Sequence, residues 1–111
     1  MGLAILRVTV RGEFRDLTDG QRAELAAAVD EHDIMRSAYT RDGTFTYDAR
    51  IVAFSYRFEV RVQTDDLGSS EGATSAAVAE GLRRAEADLD ARGLAHKRLR
   101  ASAVDMADIW K

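Results

Sequence analysis

The chain has 111 residues, of which 46% are hydrophobic and 32% charged, and its net charge is −3 at pH 7. That length and composition predict one globular domain over residues 1–111 and argue against a disordered chain. No apolar run approaches the ~20 residues of a membrane span, no signal peptide is evident and cysteine is absent, so we expect a cytoplasmic protein with no membrane partner.

Two patterned segments begin the chain. Alternation of polar and apolar residues over 4–12 predicts a strand that ends at Gly12. Its inward side chains are predicted to be Leu6, Val8 and Val10. Thr18 and Gln21 then form a capping-box pattern, which predicts a helix that runs from there to about Asp33. The buried stripe of that helix is predicted to be Leu25, Ala28, Val29 and His32.

A hairpin is predicted next. Asp42 and Gly43 both accept the positive φ angles of a tight type I′ turn, so residues 35–41 are expected to pair with residues 44–48. Whether residues 34–39 form this strand or extend the first helix is left open.

The longest alternating segment covers residues 51–63 and predicts a strand with one buried and one polar face. The predicted inward residues are Val52, Phe54, Tyr56, Phe58, Val60 and Val62.

The last third of the chain predicts a helix followed by a strand. Apolar residues recur at helical spacing in residues 73–92, and Gly93 stands where a left-handed cap is needed. The predicted helix core is Val78, Leu82, Ala85 and Leu89. Residues 96–104 alternate again, with Leu99, Ala101 and Ala103 on the inward face. An apolar tail, which we expect to pack on the body, consists of Met106, Ile109 and Trp110.

The order strand, helix, two or three strands, helix, strand predicts an α+β domain of the ferredoxin-like type, with both helices on one face of an antiparallel sheet. This order, together with the segments VTVRGEF, QRAEL, EHD, RDGTFTYD and VAFSYRF, resembles a family of short uncharacterised actinobacterial proteins. The resemblance spans most of the chain and implies the same compact α+β domain. It implies no catalytic residues, because that family has no assigned activity.

The uncovered face of such a sheet is predicted to carry six arginines. These are Arg7, Arg11, Arg57, Arg61, Arg98 and Arg100. Guanidinium groups suit carboxylates and phosphates through bidentate hydrogen bonds, so we expect this face to bind a small acidic or polyketide-like metabolite. The alternative interpretation is an ordinary solvated sheet face.

Nucleic acid is not an expected ligand. RNA-binding modules of this fold stack bases on aromatic residues of the open face, whereas Phe54, Tyr56 and Phe58 are predicted to lie on the covered face. The net negative charge argues in the same direction.

His32 and Asp33 are the candidate catalytic residues, because a histidine beside a carboxylate can act as a general base. Tyr39 is a further candidate ligand contact, and we expect it to line a small cavity with Tyr47, Asp48 and His32. Capping and packing are the alternative roles. The chain has two histidines and no multi-histidine spacing, so neither a metal site nor a cofactor is predicted.

Three functions fit this sequence. The first is non-catalytic ligand binding on the arginine-bearing face or in the cavity of a homodimer. The second is a cofactor-free cyclase or isomerase that uses His32 or Asp33 as base and an arginine to stabilise an enolate. The third is a dimerising interaction or scaffold protein.

Overall fold

The computed structural model describes residues 2–33, 38–64 and 70–106. The elements are β1 (Gly2–Phe14), α1 (Asp19–Ala27), β2 (Thr44–Tyr47), β3 (Ala53–Thr64), α2 (Ser70–Ala91) and β4 (His96–Asp105). They form an α+β structure with two helices and an open four-stranded antiparallel sheet in the order β2-β3-β1-β4. Neither helix in the described part of the chain is long and apolar enough to cross a membrane.

The aromatic side of β3 faces inward, as its alternation predicts. Val8 pairs with Phe58 and Val10 with Tyr56, so these side chains share one face of the sheet. Each of the four is at most 2% exposed, and Phe54 is buried with them. Burying this face is the main source of hydrophobic stabilisation in the sheet.

Helix α2 lies on that buried face and approaches it closely. A Cβ atom on Gly81 would lie 2.6 Å from Cγ1 of Val8, so only a glycine fits between helix and strand. Ala85 and Leu89 are fully buried. The predicted cap is confirmed, because Gly93 has a φ of +71° and the Leu94 N–H donates to the Leu89 carbonyl at 2.9 Å.

Helix α1 begins as predicted but ends early. Thr18 and Gln21 form the capping box, and Leu25 is buried. The helix ends at Ala27 rather than near Asp33, and residues 28–32 form tighter turns. The remaining predicted stripe, Ala28, Val29 and His32, is only half-buried.

The reason for this early end is a set of hydrogen bonds to the outer edge of β2. The His32 carbonyl accepts from the Tyr47 N–H at 3.1 Å, and the His32 ring donates from Nδ1 to the Phe45 carbonyl at 2.8 Å. Because a carbonyl oxygen only accepts, Nδ1 carries the proton. These bonds cover one edge of the sheet in place of a longer helix.

The predicted hairpin is wrong at Thr40, in the described part of its first half. The Thr40 carbonyl accepts from the Glu59 N–H at 2.7 Å, and Thr40 forms a parallel bridge with Phe58, so this residue lines the edge of β3 and does not pair with β2. Gly43 has a φ of +91°, but Asp42 is not among the described residues with positive φ, so the turn is not type I′. Residues 34–37 lie outside the described part of the chain.

The start of the long strand also differs from the prediction. Ile51 has a φ of +58°, and Asp48 accepts hydrogen bonds through Oδ1 from the N–H groups of Val52 and Ala53. This side-chain-capped turn delays the strand, so Val52 is 50% exposed instead of buried.

Strand β4 matches the predicted segment, and Leu99, Ala101 and Ala103 pack against the core. Of the predicted apolar tail, Met106 is half-buried, while Ile109 and Trp110 lie outside the described residues.

Candidate functional site

The six predicted arginines share the sheet face that α2 does not cover, which we call the arginine face. Residues opposite one another in register lie on the same side of a sheet. Thr9 pairs with Arg57 on β3, Arg11 pairs with Arg100 on β4, and Ile5 pairs with Arg61. The set is Arg7, Arg11, Arg57, Arg61, Arg98 and Arg100.

Two of these arginines are neutralised by carboxylates. Arg61 lies 3.5 Å from Glu59, and Arg98 donates to both carboxylate oxygens of Glu13 at 3.0 Å. The other four form no ion pair with any carboxylate of the described residues. They are Arg7, Arg11, Arg57 and Arg100. The arginine face therefore carries a clear excess of positive charge.

Tyr39 lies on the arginine face. Its hydroxyl shares a hydrogen bond of 3.0 Å with the Thr9 hydroxyl, and the guanidinium carbons of Arg7 and Arg57 each lie 5.2 Å from its ring centre. These are cation–π distances. The Nε atom of Arg57 is buried and has no hydrogen-bond partner among the described residues. Tyr39 thus orders two cations at the centre of the face.

Tyr39 does not share a cavity with the other residues predicted to line one. The Tyr47 hydroxyl donates to the Leu25 carbonyl at 2.6 Å in the core, and burial raises the pKa of this phenol. The Asp48 carboxylate accepts the backbone hydrogen bonds of the turn before β3. Residue spacing alone does not reveal that these side chains project from different sides of the sheet.

A cleft of about 970 Å³ lies on the other side, between α2 and the β2–β3 edge, and we call it the α2–β2 cleft. Buried rings of Phe45 and Tyr56 stack beneath it with centres 4.8 Å apart. The Tyr56 hydroxyl donates to Asp88 at 2.6 Å, and Arg92 donates to the same oxygen at 2.7 Å. Burial, and then the bond to Asp88, raise the pKa of Tyr56.

The cations of this cleft are mostly paired. Arg83 and Arg84 both donate to Glu80, at 2.6 and 2.8 Å, and hold the pKa of that carboxyl down at about 2. Arg84 also donates to the Arg41 carbonyl at 2.8 Å, which ties the turn before β2 to α2. Neither Arg83 nor Arg84 is among the ligand contacts predicted from the sequence. The spacing from Glu80, three and four residues, was the available signal for this ion-pair network.

His32 and Asp33 line different pockets. The half-buried His32 ring lies at the rim of the α2–β2 cleft and stacks on Tyr47 with ring centres 5.2 Å apart. Asp33 lines a second pocket of about 410 Å³ beside Thr46 and Tyr47. The two candidate catalytic residues therefore line separate pockets, and their catalytic role stays a prediction.

Potential metal ligands do not cluster in the described ranges. Within residues 2–33, 38–64 and 70–106, no group of three or more histidine, cysteine, aspartate or glutamate side chains is arranged to hold a metal ion.

A protein-family model matches nearly the whole chain. Residues 1–110 match the model of a family described as a family of unknown function, DUF6204. No curated protein and no solved structure was found to match the chain.

Proposed function

Because the chain belongs to the DUF6204 family, which has no known function, we propose from its own geometry that it is a non-catalytic protein that binds a small acidic or polyketide-like metabolite. The ligand binds on the arginine face. The observation that carries this proposal is the group of four guanidiniums there that have no carboxylate partner in the described residues. Guanidinium groups bind carboxylates through two parallel hydrogen bonds.

Repulsion between neighbouring cations supports this proposal. Arg11 and Arg100 stand directly opposite each other on adjacent strands, an arrangement that destabilises a sheet when the charges are alike. A bound anion relieves that repulsion. The whole chain carries a charge of −3, so its acidic groups lie elsewhere and leave the face selective for anions.

The same face carries apolar surface at one end. Val104 pairs with Arg7 and is 51% exposed, and Leu3 on β1 is 55% exposed. An acid with an apolar body fits such a surface better than a fully polar anion, because burial of its hydrocarbon part adds to the ion-pair energy. Tyr39 already holds Arg7 and Arg57, so less side-chain entropy is lost on binding.

We propose in addition that the chain has a ferredoxin-like topology and forms a homodimer. The order β2-β3-β1-β4, in which each helix connects two strands that lie apart in the sheet, supports a ferredoxin-like topology. Homodimerisation through the arginine face would enclose the ligand between two sheets, with the ligand compensating the cations. A cytoplasmic location and an actinobacterial origin stay predictions of the sequence.

The proposal is tested by titrating the full chain with 2-naphthoate, an acid with an aromatic body, and following binding by calorimetry. The double variant R7Q/R57Q should bind at least about tenfold more weakly, because two charged hydrogen-bond donors are lost. The matched control R22Q/R83Q removes one exposed arginine from each helix, away from the arginine face, and should bind like the parent chain. Equal affinity in all three proteins would overturn the proposal. Native mass spectrometry of protein purified from its own host then reports any retained ligand and the copy number.

A cofactor-free cyclase or isomerase is the second candidate, and one observation favours it. The bond from His32 Nδ1 to the Phe45 carbonyl fixes the tautomer, so Nε2 of the neutral ring carries the lone pair that a general base needs. Arg92 lines the same cleft and is a candidate to stabilise an enolate. Substitution of His32 by alanine separates the two functions. An enzyme that uses His32 as base loses turnover, whereas 2-naphthoate binding on the arginine face is retained.

The third hypothesis is a scaffold protein. A chain that binds no ligand and still dimerises would fit the scaffold hypothesis.

A further inference from the structure

One corner of the arginine face concentrates positive charge, and we call it the basic corner. It lies where β1 and β4 pair near Gly12, at the opposite end from the exposed Val104. Its members are Arg11, Lys97, Arg98, Arg100 and Glu13. Four cations thus lie around one carboxylate. Three of them lower the pKa of Glu13, first through the hydrogen bond from Arg98 and then through the charges of Arg98, Lys97 and Arg100.

A strained bulge shapes this corner. The register of β1 against β4 shifts between Arg11 and Glu13, and Arg98 adopts a φ of +56°, which is unfavourable for a residue with a side chain. In this conformation the Arg98 guanidinium reaches both oxygens of Glu13 at 3.0 Å. Strain of this kind is concentrated at functional sites in proteins.

The bulge leaves three cations without a carboxylate. Arg98 occupies Glu13, and the described residues contain no ion pair for Arg11, Lys97 or Arg100. Arg100 is oriented by its own bond to the Arg98 carbonyl at 3.2 Å. These three side chains provide two planar guanidinium groups and one ammonium group.

The Ser102 hydroxyl completes the donor set, since the Thr9 hydroxyl already bonds to Tyr39. Thr9 and Ser102 form the next cross-strand pair on the same face, two residues along from Arg11 and Arg100. Two residues span about 7 Å of a strand, within the reach of an arginine side chain. Ser102 is exposed. The corner therefore offers guanidinium, ammonium and hydroxyl donors to one bound anion.

We propose that the basic corner is a subsite for a dianionic phosphoryl group, and hence that the ligand of the arginine face is a small phosphate monoester. This inference rests on the proposed function and specifies its ligand. A phosphoryl group has three acceptor oxygens and, above its second pKa of about 6, close to two negative charges. It matches three free cations better than a carboxylate does, which has one charge and two oxygens.

The test compares phenyl phosphate with benzoate, which share a ring and differ in the anionic group. Binding to the full chain is followed by two-dimensional NMR at low salt, because salt screens exposed charges. At pH 8 phenyl phosphate should bind at least about tenfold more tightly than benzoate, and its advantage should shrink at pH 5, where the dianion is protonated.

Variants then locate the subsite. R11Q/R100Q should lose at least about tenfold in phenyl phosphate affinity and lose little for benzoate, while the control R22Q/R83Q keeps the parent affinity for both probes. The single variant R100Q, which removes one exposed side chain, repeats the measurement if the double variant is unstable.

The remaining outcomes separate the two proposals. Equal affinity for both probes, with binding lost in R7Q/R57Q, overturns the phosphoryl subsite and keeps the arginine face as a carboxylate site. No binding of either probe, and none of 2-naphthoate, overturns both. Much tighter binding of a short single-stranded oligonucleotide than of phenyl phosphate overturns the small-molecule assignment, because it identifies the corner as a contact for nucleic acid.

Discussion

The hydroxyl of Tyr39 lies 3.0 Å from the hydroxyl of Thr9, so the segment that precedes β2 is fastened to the middle of β1. This contact places the Tyr39 ring beside Arg7 and Arg57 on the uncovered face. The guanidinium carbon of each arginine lies 5.2 Å from the centre of the ring. The contact also orders side chains that would otherwise move freely in water.

Substitution of Tyr39 tests how much of this order depends on the hydroxyl. Tyr39→Phe removes the bond to Thr9 and keeps the ring, so we expect a loss of about 0.5–1.5 kcal/mol in unfolding free energy. Tyr39→Leu also removes two cation–π contacts and should lose roughly 0.5–1 kcal/mol more for each. Urea unfolding measures both. A leucine variant as stable as the parent would contradict this description of the face.

The inward orientation of the aromatic residues can be tested with a matched pair. Phe54→Ala removes a ring that is 2% exposed and should destabilise the protein by about 3–5 kcal/mol. Val52→Ala, two residues away, removes a side chain that is 50% exposed, so a change within about 0.5 kcal/mol is expected. Similar losses for the two variants, measured by urea unfolding, would show that the alternation is shifted.

Much of this fold was predictable from local patterns. The period of two in β3 identified its buried face, and through the register it also put six arginines on the other face. The capping box at Thr18 and the cap at Gly93 were equally visible, because their hydrogen bonds connect residues close in sequence.

The wrong predictions fall where distant residues determine the structure. Helix α1 ends at Ala27 because His32 forms hydrogen bonds to β2. Thr40 does not pair with β2 as predicted, because its carbonyl accepts a hydrogen bond from Glu59 of β3. The basic corner depends on a bulge that places Arg98 against Glu13, 85 residues away. Neither the structural propensity of a residue nor the spacing of residues in the sequence identifies partners that are so far apart, because the register of the sheet brings them together.

Two glycines with positive φ should differ sharply in their tolerance of a side chain. Gly43 has a φ of +91°, and a Cβ there would lie 2.1 Å from the Phe58 ring, whereas Gly93 has a φ of +71° with nothing within 4 Å. We expect Gly93→Ala to destabilise by about 1 kcal/mol, the cost of the left-handed conformation alone. Gly43→Ala should lose at least about 1–3 kcal/mol more, since it also overpacks the core. Comparable thermal midpoints for the two variants would contradict the packing of Phe58 against this turn.

The Glu80 network predicts a dependence of stability on pH. Hydrogen bonds from Arg83 and then Arg84 lower the pKa of Glu80 from 4.5 to about 2. A lowered pKa means that the stabilisation is fully present above pH 4.5 and is lost as the pH falls towards 2. Because these groups are partly exposed and solvent screens them, Glu80→Gln should lose only about 0.5–1 kcal/mol at pH 7. The difference between parent and variant should shrink below pH 4.5, and a difference that is constant down to pH 2 would exclude this ion-pair network.

His32 provides the last prediction, because its ring has a structural contact as well as a candidate catalytic nitrogen. His32→Ala removes the donor to the Phe45 carbonyl at the edge of β2, so we expect a loss of about 1–2 kcal/mol in urea unfolding. His32→Asn offers an amide N–H near the position of Nδ1 and should recover part of that loss. Neither variant touches the arginine face, so both should bind 2-naphthoate like the parent chain. A loss of that binding in both variants, with the fold retained, would move the ligand site to the α2–β2 cleft and favour the enzymatic alternative.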